Sequence, residues 1–349
     1  MNKTFRGLVL VAALAALFYL PYRLTVGTAI PDRSPVPGER GGPASPTGCE
    51  RGAVRVPATV LWAGPGQMRD YDELILRDNN DPVAWAGGMD ASMRLWLVDK
   101  ADSMALFGEP VDILEDRGEW LKVAAVWQKT TLNERGYPGW VPAAHIARNN
   151  EYSTDLKRLP GVVVTAKTTH LYKNEELTEI SGEVAYQTRL PLLEEKGRAA
   201  TVRLPDGATG FLTRSDLKRD EELAFSWEGI VDEARQFLGA HYLWGGTASF
   251  GFDCSGFTMR LYQSQGLTIP RDADEQARGG TAVSRQDLLP GDLLFYAAKG
   301  GQGQIHHVGM YIGNGQMIHA PNSRSLIRIE AIDSGDYGEE YWGARRYAR

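Results

Sequence analysis

Cysteine is nearly absent from this chain: Cys49 and Cys254 are the only two in 349 residues. A disulfide framework is thereby excluded as the source of stability, and hydrophobic cores must supply it. Basic charge is not in excess either. The 38 Lys and Arg against 44 Asp and Glu give a net charge of −6, which argues against nucleic acid as a partner. Histidine is scarce at six residues, and no CxxC or HxxxH spacing marks a metal site. Hydrophobic residues at 43% and charged residues at 23% are ordinary for a globular protein. The length implies two or three domains.

One apolar run stands out, from Leu8 to Leu20. Lys3 and Arg6 precede it, Pro21 breaks it and Arg23 follows. A positive stretch before a short apolar core is the pattern of an export segment, too short for an ordinary membrane span. Residues 1–30 are therefore expected to be a signal peptide or an N-terminal anchor, and the protein periplasmic or extracellular. Any membrane contact is expected through this segment alone. The Pro/Gly-rich stretch 31–52 reads as a flexible linker, and Cys49 within it as an incidental thiol.

From 53 to 148, short apolar runs alternate with turn signals, as in PVDILEDRGEWLKVAAVW. The stretch 70–100 reads as a partly helical insertion. A second β segment spans 152–219 with the same rhythm. GYPGWVPAAHI and DGATGFLTRSDL give the two segments similar endings, a sign of a duplicated small barrel. From 225 to 349 the pattern changes. A helix over 228–240 and one over about 255–265 precede interleaved strands and turns, which predicts an α+β domain.

The chemistry-bearing residues fall in this last segment. Cys254 lies in FDCSG at the predicted start of a helix, where free backbone N–H groups favour a thiolate. In IHHVGMYIGNG, Val308, Met310 and Ile312 share one face with His306, so His307 points to the other face with Gly309 and Tyr311. Gly313-Asn314-Gly315 reads as a tight hairpin turn that brings up MIHA. His319 is then placed to hold the far ring nitrogen of His307. A zinc site from the same three residues is the chemical rival.

HYLWGG, FDCSGF, IPRDADEQ, LLPGDLLFY, HHVGMYIGNG and MIHA, in this order, resemble the successive motifs of NlpC/P60 cell-wall cysteine peptidases. The resemblance covers Tyr242 to the C-terminus. It implies a papain-like α+β core with Cys254 as nucleophile, His307 as base and His319 as orienter. Upstream, WAGPGQMRDYDELIL, SMALFGEPVDIL, WLKVAAVWQ and ERGYPGWVP resemble the first of two bacterial SH3-like domains in gamma-D-glutamyl-L-diamino acid endopeptidases. That subgroup cuts murein stem peptides between D-glutamate and a diamino acid, usually meso-diaminopimelate, when the L-alanine amine is free.

Carried over, the resemblance places Tyr242 beside the thiol and gives Asp253 and Ser255 the ammonium and substrate backbone to hold. Glu109 and Tyr137 of the first barrel become candidates for amine recognition, with Asp72 or Glu73 as alternative carboxylates. Phe107 departs from the tyrosine frequent in the family. The expectation is a monomeric hydrolase of peptidoglycan stem peptides that needs no cofactor or metal. An amidase or acyltransferase using the same triad, or a cell-wall binding protein, is the alternative.

Overall fold

The computed structural model describes residues 50–66 and 68–347. The export segment, most of the linker and Cys49 lie outside the described residues. Among those described, no helix is long and apolar enough to cross a membrane.

Two seven-stranded antiparallel sheets come first. In sequence order within each, the strands lie 3-2-6-5-4-1-7 in both sheets. A one-turn helix precedes the last strand in each, Ala143–His145 and Arg214–Asp216. This identical connectivity is the counterpart of the repeated endings in the sequence. The predicted turn at 116–118 joins strands Pro110–Asp116 and Trp120–Ala125. There the Gly118 N–H donates to the Asp116 carboxylate at 2.8 Å. The 70–100 insertion carries short helices, two of them capped by Asp81 and Asp90. Trp85 within it is fully buried.

One segment differs from expectation. The chain from Tyr152 is not a strand at first: Asn150–Arg158 is a helix capped by Asn149, and the second sheet begins at Gly161. Pro160 has no N–H to extend the helix. The Tyr152 hydroxyl donates to the Gly108 carbonyl at 2.9 Å and ties this helix to the first barrel.

The C-terminal domain packs helices Trp227–Arg235 and Cys254–Ser264 against a six-stranded antiparallel sheet. Its strand order is Thr281–Val283, Tyr341–Arg346, Leu293–Ala297, Ile305–Gly313, Gln316–His319, Arg328–Ala331. Val308, Met310 and Ile312 face the helices within one core with Phe252, Phe257 and Tyr262. The α+β expectation therefore holds.

The first barrel is joined to this domain by buried polar contacts. Glu109 and Arg260 pair at 2.9 Å with side chains 1% and 2% exposed. Thr247 donates to the Met104 carbonyl at 2.8 Å. Gly245, at φ +73, runs so close that a Cβ there would lie 2.8 Å from the Ala101 carbonyl oxygen, so the loop preceding Cys254 can lie on the barrel only with glycine here. Removing the Glu109 carboxylate would strand the Arg260 charge in a dry interface. Glu109→Ala is expected to cost about 3–5 kcal/mol of stability in denaturant unfolding. Glu115→Ala breaks an exposed pair with Arg117 and is expected to cost less than about 1 kcal/mol.

Candidate active site

Cys254 is the first residue of its helix, and the Asp253 side chain caps that helix by accepting from the Gly256 N–H at 2.6 Å. The N–H groups of Cys254 and Ser255 precede the first intrahelical bonds and point toward the thiol end. Backbone N–H groups of Ser255 and Val308 lie in hydrogen-bonding range of the sulfur. The second of these belongs to the strand that carries His307, which brings that strand against the thiol.

His307 Nε2 lies 2.8 Å from His319 Nδ1, and His319 Nε2 lies 3.1 Å from a Glu330 carboxylate oxygen. The hairpin that makes this possible turns at Asn314 and Gly315, with φ of 53 and 69. Both are left-handed positions that Asn and Gly tolerate. At Gly309 a Cβ would meet the Met317 sulfur at 2.7 Å and the His319 Cβ at 3.3 Å, so its missing side chain leaves room for Met317 and lets the His319 strand pack close. Tyr337 stacks on His307 with ring centroids 5.3 Å apart and meets His319 edge-on at the same distance.

Burial dominates the electrostatics. It pushes the Cys254 thiol up to about 12, with the Asp253 charge adding to the rise. The same burial holds His307 well below its usual value, with His319 contributing, and draws His319 down to about 4. The helix N-terminus favours the thiolate, but desolvation outweighs it. Each group alone resists ionisation. Transfer of the sulfur proton to His307 would instead create a thiolate and an imidazolium together.

Tyr242 is buried, and its hydroxyl is electrostatically coupled to Cys254. Asp253 and Ser255 are already engaged. Arg271 donates to both Asp253 oxygens at 3.1 and 2.6 Å and to the Ser255 hydroxyl at 2.9 Å. Glu109 requires correction. Its carboxylate is taken up by Arg260, Gln128 and the Leu106 N–H, away from solvent. Asp72 is likewise occupied, by Arg69 and the Trp85 indole, and Glu73 lies on the exposed side of a short helix.

Tyr137 does reach the C-terminal domain, with its hydroxyl 3.1 Å from Asp272. Asp102 also acts electrostatically on it. Glu330, Tyr337, Arg271 and Asp272 were not singled out from the sequence, although Arg271 and Asp272 stand inside IPRDADEQ.

The NlpC/P60 family model matches residues 239–346, and the YKFC SH3b2 domain model matches 164–218. A gamma-D-glutamyl-L-lysine dipeptidyl-peptidase of Bacillus cereus is 40% identical over 300 residues, covering 84% of this chain and 90% of that protein. This chain belongs to the NlpC/P60 family. A second protein with the same name, from Bacillus subtilis, is 33% identical over 288 residues, covering 82% of this chain and 95% of its own. The crystal structure of an NlpC/P60 family protein from Bacillus cereus superposes with a TM-score of 0.82 at 39% identity. The match covers 85% of this chain and 99% of that one. As a member of the NlpC/P60 peptidases, the protein is a hydrolase.

If His307 takes the thiol proton, its loss leaves a thiol that ionises only at high pH. With His307→Ala, iodoacetamide labelling of Cys254 at pH 7 is expected to slow at least about tenfold. The rate should then climb by up to about tenfold per pH unit toward pH 9. Equal rates at pH 7 in both proteins, read by peptide mass mapping, would remove His307 from this role.

Proposed function

We propose that this protein is a cysteine endopeptidase acting on murein-derived peptides. In this reading it hydrolyses the γ-D-glutamyl–diamino acid bond when the preceding L-alanine carries a free amine. The observation that carries the reading is the placement of Cys254 and the His307–His319 pair at a seam whose other wall is the first barrel. The names of the Bacillus relatives support the bond and the dipeptide product.

Cys254 passes its proton to His307, and the sulfur attacks the γ-carbonyl carbon. The oxyanion is met by N–H groups at the start of the Cys254 helix. As the C–N bond breaks, His307 returns the proton to the departing amine of the diamino acid. Water, deprotonated by the same imidazole, then splits the thioester to L-alanyl-D-glutamate and the free thiol.

Amine recognition falls to the seam in this reading. Tyr137, Asp272 and Asp102 bring a hydroxyl and two carboxylates together beside the Asp253–Arg271 pair. An ammonium brings a positive charge that these carboxylates attract, whereas an acylated amine brings bulk and no charge. Export through residues 1–30 would deliver the enzyme to its substrate.

The full chain is expected to cleave L-Ala-γ-D-Glu-L-Lys or its meso-diaminopimelate counterpart, followed by mass spectrometry, and to leave the N-acetylated peptides intact. Equal cleavage of the acetylated peptides would sink amine recognition. Cleavage of none would sink the bond assignment.

Burial raises the Asp272 carboxyl to about 6, against the opposing pull of Arg271 and Tyr137. Its negative charge is therefore present at pH 7 and lost as pH falls below about 6. The KM for the free-amine peptide should rise through that interval, and Asp272→Asn should abolish this part of the pH dependence.

A further inference from the structure

Glu330 sits on the edge strand Arg328–Ala331 of the six-stranded sheet, a position that ordinarily carries a solvated charge. The register changes its meaning. His319 pairs with Arg328 and Met317 with Glu330, so Glu330 lies diagonal to His319 on the same face of the sheet. Its carboxylate is held at three further points. Arg328 Nε and Nη2 each reach Oε2 at 2.8 Å, and the Ser334 hydroxyl donates to Oε1 at 2.6 Å. Burial works against its charge, but the bonds from Ser334 and Arg328 hold the carboxyl below its usual range, and it is an anion at neutral pH.

An anion can only accept hydrogen bonds. His319 Nε2, at 3.1 Å from Glu330, must therefore carry a proton. With His319 neutral, its Nδ1 is then bare and accepts from His307 Nε2 at 2.8 Å. Neutral His307 has thus placed its one proton on Nε2, and its Nδ1 is left as a lone pair for the thiol. The order of protons along the chain follows from the charge at its far end.

We propose that Glu330 is a positioning residue that sets the tautomers of both histidines through its bond to His319, so that His307 Nδ1 is free to take the Cys254 proton. The inference rests on Cys254, His307 and His319 acting as nucleophile, base and orienter. Without the carboxylate, the opposite tautomer becomes equally good: His319 Nδ1–H donates to His307 Nε2, and His307 Nδ1–H confronts the thiol with a second donor. The carboxylate also faces the positive charge that forms on the histidine pair when the thiolate does. The neighbouring charged groups are Arg328, which holds the carboxylate, and His306, which bonds Glu340 at 3.0 Å and lies on the opposite face of its strand.

The test compares native protein with Glu330→Gln, Glu330→Asp and Cys254→Ala as full chains, using L-Ala-γ-D-Glu-L-Lys. Glu330→Gln keeps the shape and an acceptor oxygen, and its thermal midpoint reports folding. The expected result is a kcat lower by on the order of 10²-fold with KM within about twofold, while Glu330→Asp retains most of the rate. Imidazole 15N spectra provide the readout that a merely structural role would leave unmoved. Native His307 and His319 should both show a protonated Nε2 and a bare Nδ1, and Glu330→Gln should lose this single pattern. Unchanged tautomers, or an unchanged kcat, in Glu330→Gln would overturn the proposal. A native His319 protonated on Nδ1 would do the same. If Cys254→Ala retains turnover, the underlying triad reading fails instead, a result that the Glu330 variants alone cannot produce.

Discussion

The guanidinium of Arg271 is the interaction on which the rest of the site depends. Its side chain is 1% exposed, and an unpaired charge there would be strongly destabilising. Every direction of the fork is instead used. Two nitrogens hold Asp253, the residue that caps the Cys254 helix, and one of them also reaches Ser255. The third, Nε, donates to Ser103 of the first barrel at 2.8 Å, and the Arg271 backbone N–H donates to the Lys129 carbonyl of that barrel at 2.9 Å. One residue thus fixes the helix that presents the thiol and fastens the wall of the cleft beside it. Arginine suits the place because its planar donors meet several acceptors at fixed angles, which a lysine ammonium does not.

This arrangement explains why the neighbouring carboxylates have different characters. Asp253 is paired with Arg271 and spends its charge on the cap. Asp272 follows Arg271 directly in sequence, yet the guanidinium approaches it only to 4.0 Å and its side chain is 32% exposed. Burial outweighs this loose pairing, and it is the one pushed up to about 6. A carboxylate in that condition gains more from an incoming cation than one already paired. The first barrel adds the Tyr137 hydroxyl to it at 3.1 Å.

The parts of this site that were legible in the sequence are those set by local rules. Period-two alternation placed His307 on the face opposite Val308 and Met310, and Gly-Asn-Gly announced the hairpin that brings His319 back to it. The helical pattern after FDCSG placed Cys254 at a helix start, and Asp253 proves to be its cap. Where partners lie far apart in the chain, reading failed. Glu109 reads as a candidate for amine recognition because Arg260, its partner, stands 151 residues away and gives no local signal. Glu330 gave no signal, because only the register of two strands shows that it reaches His319. The helix at 150–158 was hidden by a β rhythm that begins just after it, although Asn149 and Pro160 mark both of its ends.

Dryness connects these observations. The buried Tyr242 and the stacked Tyr337 surround the thiol and the histidines with low-polarity material, which is why burial leads both shifts. In bulk water an isolated thiol and imidazole would need no such help to titrate near neutrality, but their charges would also be weakly felt by a substrate. Inside the cleft the ion pair is harder to form, and each fixed dipole that meets it counts for more. The Ser255 and Val308 N–H groups meet the sulfur, and the carboxylate of Glu330 lies at the far end of the histidine chain. The same Arg271 that fixes the cap of the Cys254 helix also ties it to Ser103 of the barrel, so the burial of the thiol and the docking of the barrel rest on one side chain.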